Sequence, residues 1–266
     1  MIGVDFGASY TDLVYFKKGK LHAYYVPSED FSWRSVERLL HNGKGVALTG
    51  GIAVVESRNP GVRKLERKTK VKQIPEIQAI AEGARFLTGK KRMLVVNVGT
   101  GTPFVYVNGS KALHVAGTGI GGGTLAGLGK LLLDEEVENL EGMAEKGKSA
   151  LDLTVFDVAG GNVGIVPPHA TASNFAKALQ AKQPKRNDLA YSLLNLVAEA
   201  VGTMAVLAAR SVNAKDIVFT GRVVAKNRRV RQRLQAVMKL FGGKMTVPKN
   251  AEYATAIGAL RLAQNK

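Results

Sequence analysis

The segment VGTGTPFVYVNGSKALHVAGTGIGGGTLAGLGKLLL, from Val98 to Leu133, constrains this chain more than any other. It holds two glycine-threonine turns separated by a short β-hairpin, and a helix-forming run begins where the second turn ends. Gly121, Gly122 and Gly123 let the backbone take φ > 0 and approach an anion closely. Thr124 then stands where a helix N-terminus would direct its free N–H groups. Such a turn suits the phosphates of a nucleotide. A lone glycine-rich turn can be purely conformational, so its companions decide.

The first companion is the N-terminus. MIGVDFGASYTDLVYFKKGKLHAYYV reads as an apolar strand from Ile2 to Phe6, a Gly-Ala-Ser turn, a second strand from Thr11 to Phe16, a Lys-Gly-Lys turn and a third strand. Asp5 falls at the carboxyl end of a strand expected to be central, with Gly7, Ser9 and Thr11 on the turn after it. A buried carboxylate beside a phosphate turn is costly unless it meets a cation, and Mg²⁺ is the natural one. An ordinary hairpin with an Asp turn accounts for the same residues equally well.

Near the C-terminus, AKDIVFTGRVVAKNRRVRQRLQAVM gives a short buried strand, a Thr220-Gly221 turn and a helix, and EYATAIGALRLA closes the chain with a small-residue helix. The order D-x-G-x-S/T at residue 5, LTGG at 48–51, GTGT at 99–102, GTGIGGGTxxGLG at 117–129, FTG at 219–221 and a final YxxAIGAL resembles the actin/hexokinase/Hsp70 ATPase superfamily. Within it the chain is most similar to the type II, eukaryotic-like pantothenate kinases. The resemblance runs nearly end to end. It implies an α/β fold of two actin-like ATPase lobes, duplicated ribonuclease H-like domains around a central nucleotide cleft, with lobes at about 1–90 and 91–266. It also implies ATP and Mg²⁺ as cofactors and a homodimer, pairing through the apolar helix 189–210 and the loop 166–175.

Composition suits one compact enzyme, since 266 residues at 45% hydrophobic can bury a substantial core. No apolar run is read as reaching transmembrane length, and no leader precedes the first strand, so a cytoplasmic protein is expected. The absence of cysteine excludes disulfides and the iron–sulfur activator ATPases of the same superfamily. Four scattered histidines show no metal-ligand spacing. A net charge of +17 favours acidic partners, nucleic acid among them. The basic runs 63–72, 182–187 and 226–233 carry no interleaved aromatic platform or nucleic-acid motif, and are read mainly as solvated surface.

In KQIPEIQAIAEGARFLTG, Pro75 opens a helix that Gly89 ends. The resemblance gives Glu76 the part of general base, which a primary hydroxyl needs because its proton must leave as the oxygen attacks phosphorus. A first-turn glutamate favoured by the helix dipole is the plain alternative, and Glu82 serves as the control. Upstream, FSWRSVERLLHNG is expected to be a helix with Trp33 in a packing role and Gly43 as its cap. Gly7, Ser9, Gly121, Gly122 and Thr124 are expected around the phosphates, with Gly221 and Gly258 leaving room for adenosine. Thr100, Gly101, Thr102 and His114 are assigned to the acceptor side.

Several positions depart from the family pattern. Asp12 stands where a lysine is usual, Pro103 where a small polar residue is, and Arg222 where a second glycine follows Gly221. His114 replaces an arginine, and an imidazole offers no bidentate fork to a carboxylate or phosphate. These departures leave three readings: a pantothenate kinase, a kinase for another hydroxy acid or polyol, and an ATP-binding pseudokinase.

Overall fold

The computed structural model describes residues 1–40, 45–58 and 60–264. Two five-stranded mixed sheets form its frame. The first holds β1 (Ile2–Phe6), β2 (Tyr10–Lys17), β3 (Lys20–Pro27), β4 (Val46–Gly50) and β5 (Val71–Gln73) in the order 3-2-1-4-5. Because side chains alternate along a strand, Ile2, Val4 and Phe6 point to one face. There they meet Leu13, Val46 and Leu48 and the helices α1 (Trp33–Leu39), α2 (Ile52–Arg58) and α3 (Val62–Glu66). Trp33 is buried edge-on against Phe6 and Phe31, with ring centres 5.6 and 5.1 Å away, which is the packing role expected of it. The expected cap at Gly43 lies outside the described residues.

Gly3 and Asp5 point to the opposite face of β1. That face is covered by α11 (Ala254–Gln264), the last helix of the chain: Val14 packs with Ala256, Ile257 and Leu260. Conversely α4 (Glu76–Thr88) lies on the second sheet, where Ile80, Ala81 and Ala84 pack on Met93, Val95, Val105, Val107 and Val218. The helix that follows the first sheet in sequence thus packs on the second sheet, and the helix that follows the second packs on the first. They lie between the sheets and touch backbone to backbone. A Cβ on Gly258 would fall 1.8 Å from the Ala79 carbonyl oxygen, and one on Gly83 1.8 Å from that of Ala254.

The second sheet contains β6 (Arg92–Asn97), β7 (Thr102–Asn108), β8 (Lys111–Thr118), β11 (Asp216–Thr220) and β12 (Lys244–Thr246), ordered 12-11-6-7-8. Its far face carries α5 (Gly122–Leu133), α6 (Val137–Glu145), α8 (Arg186–Ser211) and α10 (Arg228–Phe241) in the largest core. At 26 residues, α8 is long and apolar enough to cross a membrane, which corrects the reading that no run reaches that length. Its apolar positions are instead spent inside the molecule, on Leu125, Leu140, Leu234 and Val237. A two-stranded ribbon, β9 (Leu153–Thr154) with β10 (Thr171–Ser173), brackets the short α7 (Val155–Ala159).

Three arginines of the basic run 226–233 are bound within the molecule, while Lys226 and Arg228 are exposed. Arg229 lies 3.8 Å over the Tyr191 ring and donates to Asn195. Arg231 donates to the carbonyls of Val224 and Ala225 at 2.7 and 2.8 Å. Arg233 pairs with Glu199 and Thr171, pinning β10 to the core.

Candidate active site

The turns that follow β1, β6 and β8 converge on the cleft between the sheets. Ser9 Oγ lies 3.2 Å from Thr100 Oγ1, so the turn after β1 in one sheet and the turn after β6 in the other meet directly. Both side chains are exposed, as are Gly7, Ala8 and Gly119. Asp5 sits beneath this junction at the end of β1, in register with Asp12 on β2 and Thr49 on β4. All three side chains share the face of the sheet that looks toward α11. Thr49 Oγ1 is fully buried and has no hydrogen-bond partner.

Glu76 is the first residue of α4, which Pro75 opens with φ −58° and Gly89 closes with φ 69°. It is exposed to the cleft and close enough for its charge to act on Asp5. Burial, then the charges of Asp12 and Glu76, push the Asp5 carboxyl up from 3.8 to about 8. Asp12 is also raised, to about 7. Burial drives that rise and outweighs the opposing pull of Arg222. Such a group of carboxylates is set against itself until a cation arrives. Among the described residues no three acidic, histidine or cysteine side chains form a ready metal cage, so an ion here needs further oxygens, which a polyphosphate can supply.

Glu82 is turned away from the cleft, buried, and paired with Arg85 at 2.7 Å. His114 lies on the edge strand β8, paired with Val105 just before a bulge, on the sheet face that α4 covers. Arg85 Nη1 donates to the Gly109 carbonyl at the hairpin end of that strand. From this contact, about 14 Å back along α4 leads to Glu76, and about 10 Å along β8 from Lys111 leads to His114, so both lie away from the hairpin end.

The family model described as Fumble matches residues 92–261, and the type II pantothenate kinase of Oceanobacillus iheyensis is 32% identical over 97% of this chain and 98% of its own. The chain belongs to the type II pantothenate kinase family. The type II pantothenate kinase of Bacillus anthracis is 27% identical over all of this chain and 98% of its own length. Members of this family are ATP-dependent phosphotransferases. The fold is also that of the Acidaminococcus fermentans (R)-2-hydroxyglutaryl-CoA dehydratase component A, with a TM-score of 0.65 at 18% identity over 97% and 95% of the two chains. A ROK family glucokinase from Streptomyces griseus, solved with glucose and AMPPNP, gives 0.61 at 14% identity over 100% and 99%. At those identities they speak to the fold alone, the two-lobed α/β ATPase architecture.

In this member of the family several glycines do other work than expected. Gly121, Gly122 and Gly123 take no positive φ. They are small because the turn after β6 presses on them: a Cβ would stand 2.8 Å from the Gly99 and Thr100 carbonyls at Gly121, and 3.0 Å from Gly99 O and Val223 Cγ2 at Gly122. The N–H groups of Gly122 and Gly123 donate to Gly99 and Thr100 at 2.7 and 2.9 Å, and that of Gly121 to Thr124 Oγ1 at 3.1 Å. Two of the N–H groups at the N-terminus of α5 are thus used to weld the two turns together. Gly221 has φ 93° and backs onto Val98, whose carbonyl oxygen a Cβ would reach at 2.4 Å. Gly258 is sealed between α11 and α4. Neither glycine makes space for adenosine.

Two hydroxyls are likewise withdrawn from the cleft. Thr11 is fully buried and shares a 3.1 Å hydrogen bond with Ser28, which donates in turn to the Gly7 carbonyl at 2.7 Å. Thr102 is buried and donates to Ile120 O at 2.8 Å, bracing the second glycine turn. Sequence reading missed Ser28, which directly follows β3 and shows its purpose only once β2 and β3 pair. It also missed that Asp12 and Arg222 pair with one another, at 2.5 Å across the cleft.

Proposed function

We propose that this enzyme phosphorylates the primary hydroxyl of pantothenate, in coenzyme A biosynthesis, with Glu76 as general base. The observation that carries this reading is the position of Glu76: the first residue of α4, exposed, and within electrostatic reach of Asp5. There it can accept the hydroxyl proton as the oxygen attacks the γ-phosphorus, while Ser9 and Thr100 hold the phosphoryl oxygens from the two lobes. Mg²⁺ would be held by Asp5, directly or through water, and would supply charge neutralisation for the transferring phosphate. The Asp5 carboxyl, pushed up to about 8 by burial and by the negative charge around it, fits that ion. Thr49, with its orphaned hydroxyl in register with Asp5, offers a further oxygen.

His114 favours a second reading, a different hydroxy-acid acceptor, because the exposed imidazole replaces a fork that grips a carboxylate. ADP release measured against pantothenate, pantoate, pantetheine and small polyols separates the two. Pantothenate turnover is expected, and His114→Arg is expected to lower its KM. Turnover of another acceptor alone would overturn the substrate assignment, and ATP binding with no ADP release for any acceptor would make the protein a pseudokinase.

The setting proposed is cytoplasmic and homodimeric. Between residues 189 and 210, α8 exposes only Thr203, Leu207 and Arg210. The segment around α7 offers Phe156, Val158, Val163 and Ile165 instead, each more than half exposed. Nucleic acid is not proposed as a partner, since much of the basic run on α10 is already bound within the molecule.

A further inference from the structure

We propose that Asp12 and Arg222 form an interlobe latch that holds the cleft shut in the absence of nucleotide and must break for nucleotide to pass. The pair joins the two sheets at the cleft mouth. Asp12 lies on β2, one strand from Asp5. Arg222 opens α9 (Arg222–Lys226), directly after Gly221, and its neighbour Val223 packs on Gly122. The guanidinium donates to Asp12 at 2.5 Å, with only 20% and 12% of the two side chains exposed. It is also clasped by two rings of the first lobe, 4.7 Å from the centre of Tyr10 and 4.2 Å from that of Tyr25. A planar cation held by a carboxylate and two aromatic faces is fixed in a way that a lone surface ion pair is not.

The latch is the strongest of three contacts that leave one short stretch of the first lobe. Ser9 reaches Thr100, Tyr10 reaches Glu138 on α6, and Asp12 reaches Arg222. All three join residues more than 90 positions apart and cross from the first lobe to the second. The 3.2 Å between the Ser9 and Thr100 hydroxyls is a direct hydrogen-bond distance. A phosphoryl group seated between them, bonded to each through a different oxygen, requires a gap of about 5 Å or more. The lobes must therefore part at this edge to admit a nucleotide, and the Asp12–Arg222 pair lies where they part. Asp12 and Arg222 are positioning residues: they act on the separation of the lobes, and no reacting atom is assigned to them.

The latch rests on the nucleotide-cleft reading only for what opens it, so its closed state is tested without nucleotide. The chain has no cysteine, and Lys18→Cys with Lys239→Cys, both at exposed positions, gives one unique spin-label or dye pair across the lobes. In this background Asp12→Ala and Arg222→Ala are each expected to lengthen and broaden the interlobe distance, and to speed release of a fluorescent ADP analogue about tenfold, equivalent to about 1.4 kcal/mol of closure. The reversed pair Asp12→Arg with Arg222→Asp is expected to restore both the short distance and slow release. Arg222→Lys, which keeps the charge and loses the fork, is expected to restore them in part. Unchanged distances in the single variants overturn the latch, as does a reversed pair that stays as open as either single change. If the alanine variants fail to fold, the Arg222→Lys and reversed-pair measurements decide alone. A latch that tests true in a protein that binds no ADP would overturn the nucleotide reading and leave the latch standing.

Discussion

Replacing Asp5 with asparagine is expected to make the nucleotide-free protein more stable while abolishing its turnover. The carboxyl titrates near 8 in the folded chain and near 3.8 in the unfolded one. The folded state therefore binds the proton more tightly, and its stability falls as pH rises from about 4 to 8, by about 1.4 kcal/mol per pH unit at most. Summed over that window, the upper limit is about 6 kcal/mol. Asp5 keeps some contact with water at the cleft floor, and that relaxation brings the expected gain from Asp5→Asn to about 2 kcal/mol at pH 8. For a chain of this size the gain corresponds to a Tm higher by roughly 4 to 8 °C. The gain should shrink as pH falls toward 4 and vanish below the unfolded value of 3.8, where the wild-type carboxyl is protonated in both states. Thermal unfolding from pH 4 to 9, with and without Mg²⁺ and ATP, is the assay. Mg²⁺ with ATP should stabilise the wild type more at pH 8 than at pH 5, and the variant little at either. Parallel pH–stability curves for the two proteins, or a variant less stable at pH 8, would refute the idea that Asp5 is held in wait for a cation.

Glu76→Gln is expected to keep ATP affinity and fold while lowering turnover by about two to four orders of magnitude, measured by ADP release with calorimetry for ATP. Glu82→Gln, which loosens a buried pair with Arg85, should instead lower Tm and leave turnover near normal; the opposite pattern would mean that Glu82 is the base. Light scattering is expected to find a dimer that becomes a monomer of 28.4 kDa when Phe156 and Ile165 are both changed to aspartate. A monomer at every concentration of the wild type would reject the homodimer.

Much of this frame is legible from local chemistry. The β-strands that open the chain show their alternation in Ile2, Val4 and Phe6, and Pro75 and Gly89 mark the bounds of α4 because a fixed φ and a left-handed one are properties of single residues. The site is legible as a place rather than as a set of contacts. Thr11 and Thr102 sit where hydroxyls were expected to meet a ligand, yet each is claimed by a backbone brace that no local pattern encodes. The same is true of Gly121, Gly122 and Gly258, whose smallness answers to another segment's carbonyls and not to their own dihedral angles. Asp12 and Arg222 each look like a lost family residue when taken singly. Their relation spans 210 positions, and only the folded chain brings the two changes together.

The exchange of helices between the two sheets also bears on how the chain is made. The strands of the first sheet are complete at Gln73, yet the helix that covers their inner face begins at Ala254. At synthesis rates of about 5–20 residues per second, roughly 180 intervening residues keep Gly3, Val14 and Ala47 uncovered for about 10 to 35 seconds. The N-terminal half therefore cannot finish folding as it leaves the ribosome. Its core is closed by α11, synthesised long after the strands it covers, and loss of that helix would strip the inner face of the first sheet.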